Sequence, residues 1–225
     1  MGKVGAVIVA AGRSTRMGGV DKTFVPILGV PLVAHTLRRF ESSPQVDEIV
    51  LVLAEESLDR GRQLVKERNF RKVTHICAGG QRRQDSVRNG LDLLTACDLV
   101  LVHDGARLCL DEAMLQRGLD AAAEFGSAVA GVPVKDTIKS VSSDQMVNET
   151  LDRSLLWAAQ SPQVFRYELL MEAHRACTVD VTDDAAMVEA LGYPVKMFHG
   201  SYENIKVTTA EDLIIAEALL RSSSS

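Results

Sequence analysis

The stretch AAGRSTRMGGVDK, residues 10–22, follows the apolar run VGAVIVA and carries Arg13, Arg16 and Lys22 among small residues. Small Ala10, Ala11 and Gly12 let a ligand approach the backbone closely. Arg16 and Lys22 add charge for a polyphosphate. A Walker A loop requires GxxxxGK followed by Ser or Thr. From Gly12 the chain reads GRSTRMGG, so the lysine and hydroxyl are misplaced. A dinucleotide fingerprint requires GxGxxG, and AAGRST lacks its second glycine. On charge alone the loop is either a phosphate site of another kind or a solvated strand-to-helix turn. Asp104 and Arg107 also follow an apolar strand, in HDGAR. A carboxylate there can hold a hydroxyl or orient a metal-bound water; the alternative is a turn aspartate. Arg82 and Arg83, in AGGQRRQDS, read equally as a phosphate grip or a solvated helix start.

These groups need a frame. Apolar, β-branched runs (VGAVIVA, EIVLVLA, VTHICAGG, DLVLVHDGA, SAVAGVPV, YPVKMFHG) alternate with amphipathic stretches of helical period. Pro31 suits a first helical turn. Continuous apolar strands separated by helices indicate an α/β fold, with a mostly parallel sheet and helices on both faces. Such sheets bind ligands beyond the carboxyl ends of their strands. Residues 10–22, AGGQRRQDS, HDGAR and VKDT all fall there. Residues 134–156 break the rhythm: polar and β-branched residues alternate around the turn signal SSDQ. This predicts a β-hairpin with little core of its own. Such a ribbon is marginal alone in water, and a second subunit is its simplest support. The last helix is expected to start with a capping box of Thr208 and Glu211. No linker divides the chain, so residues 1–225 are read as one domain.

Composition narrows the function. The net charge is −5, against a general affinity for nucleic acid or anionic membranes. No apolar run approaches the roughly 20 residues that span a bilayer. Cys77, Cys97, Cys109 and Cys177 form no CxxC pair, and the five histidines show no HExxH spacing. They read as buried thiols of a reducing, cytoplasmic compartment and as structural imidazoles such as His35, His75 and His199.

In order along the chain, AAGRSTRMGGVDKTF, LVHDGAR, AAQSPQVF and ENIKVTTAEDL resemble the signatures of nucleotidyltransferases that activate sugar and polyol phosphates. With VKDTIK, TLDRSLLWAAQSPQ and VTDDAAMVEALG, the resemblance narrows to the 2-C-methyl-D-erythritol 4-phosphate cytidylyltransferases of non-mevalonate isoprenoid synthesis. The resemblance implies a Rossmann-like nucleotidyltransferase fold. It also implies attack of an alcohol phosphate on CTP, with magnesium carried mainly by the triphosphate and a homodimer that exchanges its β-arms. The chain departs from the pattern at Ser14, for a glycine, and at Asp21 and Leu108, for prolines. At Gly105 a larger residue is usual, which predicts a freer loop.

Residue by residue, the resemblance makes Arg16 and Lys22 the cations around the α-phosphate. Ala10, Ala11, Gly12, Gly80, Gln81 and Ser86 form the cytidine pocket, and Arg83 matches a family arginine. Asp104, Arg107, Thr137 and Thr182 join Arg153 and Lys206 in the polyol-phosphate pocket, where the last two grip the monoester. Arg16 could instead pin its own loop. Asp183 and Asp184 suggest a metal pair, but helix capping suits at least one of them better. Trp157 reads as core or interface. Rival functions are a ribitol-5-phosphate cytidylyltransferase and a catalytically silent nucleotide-binding regulator.

Overall fold

The computed structural model describes residues 2–12 and 21–222. The chain begins with β1 (Val4–Ala10), a small hairpin of β2 (Pro26–Ile27) and β3 (Val30–Pro31), then α1 (Leu32–Ser42) and β4 (Glu48–Leu53). There follow α2 (Leu58–Arg68), β5 (Val73–Ala78), α3 (Arg83–Leu91), β6 (Leu99–Asp104), α4 (Glu112–Phe125) and β7 (Ser127–Pro133). The arm strands β8 (Lys139–Val141) and β9 (Val147–Thr150) precede β10 (Trp157–Arg166), α5 (Tyr167–Ala176), α6 (Asp184–Ala190), β11 (Lys196–His199) and α7 (Ala210–Ser222). Among the described residues the main sheet has seven strands in the order β11-β7-β10-β6-β1-β4-β5. All its pairings are parallel except those of β10, which runs antiparallel to both β6 and β7.

The side-chain period of two splits the core. Ala6, Ile8, Ile49 and Leu51 pack with α1, α2 and α4 on one face. Val7, Val50, Val52 and Val100 pack with α3, α5 and α6 on the other. Both faces are covered, so the strands read as unbroken apolar runs. Leu51 is fully buried; its truncation to alanine would cost about 2–5 kcal/mol. The helices have local reasons to start and stop where they do. Asp111 caps α4 by accepting from the Met114 N–H at 2.7 Å, and Gly126 ends it at φ +87°, a conformation that favours glycine.

One strand has no apolar run to announce it, and two sequence expectations change. The strand β10 carries AAQSPQVF, which lacks an apolar run; Gln160, Ser161 and Gln163 are polar yet buried. The α7 cap lies one residue later than expected: Asp212 accepts from the Thr208 and Thr209 N–H groups, and its own N–H donates to Thr209 Oγ1. The four cysteines are free but half-buried rather than fully buried.

The expected arm is present. β8 and β9 pair antiparallel, and the ribbon exposes Val141, Met146, Val147 and, at its base, Leu155. Among the described residues no helix is long and apolar enough to cross a membrane.

Candidate active site

On one side of β1 the chain builds β4 and then β5; on the other side it builds β6. The order reverses between β1 and β6, which opens a crevice at their carboxyl ends. A cleft of about 710 Å³ lies there. Ala10, Ala11 and Gly12 continue from β1, Gly80 and Gln81 from β5, and Asp104 ends β6. Lys22, Arg82, Arg83, Ser86 and Lys206 complete the polar wall. Among the described residues, four cations and one carboxylate thus face the cleft in a chain of net negative charge.

Asp104 is the hub. Its carboxylate lies 2.8 Å from Lys206 Nζ, 3.5 Å from Arg83 Nε and 3.6 Å from Arg107 Nε. Burial alone would raise its pKa, but Lys206 and Arg83 beside it hold it far below the usual carboxylate range. Asp104 is therefore a fixed anion rather than a proton shuttle. Arg83 spans from Asp104 to the fully buried Asp184, at 2.7 Å. Burial opposes the guanidinium charge, and the two aspartates more than restore it.

The sequence-predicted residues divide by place. Ala10, Ala11, Gly12, Lys22, Gly80, Gln81, Ser86, Asp104 and Lys206 line the cleft together. Arg16 lies outside the described residues. Arg107 turns beneath the cleft and donates to the Asn204 carbonyl at 2.7 Å, bracing the segment that carries Lys206. The Ser86 hydroxyl is spent inside its own loop, accepting from Gly80 N–H and donating to the Arg82 carbonyl. Thr137 and Arg153 sit exposed on the arm, and Arg153 donates to the Lys135 carbonyl at 2.7 Å. Thr182 is exposed in the turn before α6, whose cap is Asp183. The Trp157 ring packs tilted against His199, with centroids 4.8 Å apart. The loop at Gly105 is tied rather than free. Its N–H donates to the Val9 carbonyl, its carbonyl accepts from Thr36 Oγ1, and a Cβ would stand 2.8 Å from that of Ala10.

Sequence reasoning assigned no role to the polar side chains of β10, and they organise the site. The Asp104 N–H donates to Ser161 Oγ at 3.0 Å. Gln160 donates to the Ser201 carbonyl and accepts from Asn204, ordering the approach to Lys206. Gln163 donates to Asp183 and accepts from the N–H groups of Asp184 and Ala185. The quoted segment AAQSPQVF held the signal: buried amides inside a strand must find partners.

A switch-point cleft of cations on a mostly parallel sheet, with one antiparallel strand, is the site of an α/β nucleotidyltransferase. The crystal structure of 4-diphosphocytidyl-2C-methyl-D-erythritol synthase from Anaerococcus prevotii matches with a TM-score of 0.86 at 29% identity, covering 97% of this chain and 96% of that one. The Thermus thermophilus 2-C-methyl-D-erythritol 4-phosphate cytidylyltransferase matches with a TM-score of 0.80 at 32% identity, covering 97% and 99%. Residues 4–222 match the family model described as IspD, 2-C-methyl-D-erythritol 4-phosphate cytidylyltransferase, and the chain belongs to that family. A relative of that name from Dehalococcoides mccartyi is 53% identical, over 97% of this chain and 96% of its own length. One from Pelotomaculum thermopropionicum is 48% identical, over 99% and 96%.

Proposed function

We propose that the cleft joins CTP to 2-C-methyl-D-erythritol 4-phosphate, giving 4-diphosphocytidyl-2-C-methyl-D-erythritol and pyrophosphate. The observation that carries this is the convergence of Arg83, Arg107 and Lys206 on one side-chain anion, Asp104, at the switch point, with Lys22 lining the same cleft. The nucleophile is a phosphate monoester oxygen, already an anion. It forms a bond to the α-phosphorus as the α–β bridging bond breaks, and the electron pair leaves with pyrophosphate. No proton need be removed, which suits a site whose carboxylate is locked in its ionised form. The task left to the protein is to bring two polyanions together in line and stabilise the charge that builds between them.

Lys22 takes the α-phosphate, with Arg16 as its partner cation. Ala10–Gly12, Gly80 and Gln81 seat the cytidine. Lys206, oriented by Asp104, grips the monoester. Magnesium arrives on the triphosphate, since it usually keeps several waters and few protein ligands. What supports this is that, among the described residues, the one carboxylate lining the cleft is already surrounded by cations.

Thr137 and Arg153 act in a partner's cleft. Neither lines the cleft of its own chain, and the arm that bears them exposes apolar side chains that a second copy would cover. The dimer is then two-fold, with each site completed by the other chain. The cytoplasm is the compartment that four free thiols suit.

The test is pyrophosphate release from CTP, magnesium and each alcohol phosphate in turn. Methylerythritol phosphate should be turned over well and ribitol 5-phosphate poorly. Equal or faster release with the ribitol compound would assign the chain to ribitol activation. No release with either would leave it a nucleotide-binding regulator.

A further inference from the structure

Lys22 is fastened on both sides. Before it, Asp21 Oδ1 accepts from the Thr23 N–H at 3.0 Å, closing the short 3-10 turn Lys22–Phe24. Asp21 Oδ2 accepts from the Ser57 hydroxyl at 2.7 Å. Ser57 is 4% exposed, and its N–H donates to the Ala54 carbonyl just past β4. After the lysine, Thr23 Oγ1 donates to the Ala10 carbonyl at the end of β1. The Arg60 guanidinium covers the Phe24 ring at 4.3 Å. The backbone of Lys22 is thus tied to the carboxyl ends of two adjacent strands. From there Nζ reaches the Val207 carbonyl at 2.8 Å, beside Lys206.

We infer that Asp21, through Ser57, is a positioning residue that sets where the Lys22 ammonium meets the transferring phosphate. It acts by hydrogen-bond geometry and not by its charge. This rests on the proposed role of Lys22. The physical ground is the steep dependence of rate on placement: a shift of about 1 Å in a group aimed at the reacting atoms can cost on the order of a hundredfold. A turn that loses its cap and its tie to β4 has room for such a shift. A carboxylate and an amide differ in charge, but both can serve here. Asparagine keeps an oxygen for the Thr23 N–H and offers an N–H to the Ser57 hydroxyl, which can accept as well as donate.

The experiment measures kcat and the KM for CTP at 25 °C, with the folded fraction read by circular dichroism, for Asp21→Ala, Ser57→Ala, Asp21→Asn and Lys22→Ala. Asp21→Ala should lower kcat about tenfold and Ser57→Ala about threefold, with KM for CTP within about twofold of wild type. Asp21→Asn should keep at least half of the wild-type kcat. Asp21→Asn as impaired as Asp21→Ala would make the charge, not the geometry, the working feature and overturn the inference. So would an unchanged kcat in Asp21→Ala while Lys22→Ala loses about a hundredfold. A kcat loss that merely tracks the folded fraction would do the same. If Lys22→Ala itself keeps full kcat, the role of Lys22 fails first and the clamp has nothing to position.

Discussion

Asp104 Oδ2 and Lys206 Nζ stand 2.8 Å apart, joining the end of β6 to the segment before α7 across the mouth of the cleft. The carboxylate also faces Arg83 and Arg107, so it fixes the aim of Lys206 and offsets the repulsion among three cations. Asp104→Asn should lower kcat/KM for the alcohol phosphate by about tenfold to a hundredfold, or roughly 1.4–2.8 kcal/mol of transition-state stabilisation. The KM for CTP should change less. Steady-state kinetics with each substrate varied in turn checks this; a loss confined to CTP affinity would put Asp104 on the nucleotide instead.

The imidazole of His103, next to that hub, is fully buried and contacts the Arg107 carbonyl at 2.9 Å. Burial pushes its pKa down to about 4, from an ordinary value near 6.5 in the unfolded chain. The fold favours the neutral ring, so the unfolded state binds more protons between these two values. Stability from this group is therefore full above about pH 6.5 and lost as pH falls toward 4, by roughly 3 kcal/mol. His103→Gln keeps an N–H for the Arg107 carbonyl and should flatten that dependence. Urea unfolding followed from pH 7.5 down to 4 tests it. An equally steep fall in the variant would place the proton uptake elsewhere.

The exchanged arm has its own test. Lys22→Ala and Arg153→Ala, each inactive alone, are unfolded and refolded as an equal mixture. If Arg153 serves the partner's cleft, one site of each mixed dimer inherits both defects and the other inherits neither. Random assortment then restores roughly a quarter of wild-type activity. A dead mixture, with mixed dimers confirmed by mass, would show that Arg153 serves its own chain.

Much of this fold was readable because a parallel sheet covered on both faces writes its strands as apolar runs, as VGAVIVA and LVLV do. The cleft loops were readable for the same reason: they had to follow those runs. The strand β10 was not, because Gln160, Ser161 and Gln163 point polar groups inward to partners distant in sequence. Its ladder also shifts register between Ala159 and Gln163, across a cis Ser161–Pro162 bond. Within the site, the loop glycines and Lys22 could be placed from local pattern. The inward turn of Arg107 could not, since its acceptor is Asn204, 97 positions away. Asp183 and Asp184 look alike in sequence. One caps α6, and the other is fully buried against Arg83.

The central claim is a single in-line displacement by the substrate's own phosphate oxygen, with no covalent intermediate on the protein. CTP made chiral at the α-phosphorus by sulfur substitution reports this directly. After reaction with methylerythritol phosphate, the configuration at that phosphorus in the cytidine diphosphate product is read by NMR. One displacement inverts it, and inversion is the predicted result. Retention would require two displacements through a side-chain nucleophile, and would contradict the account.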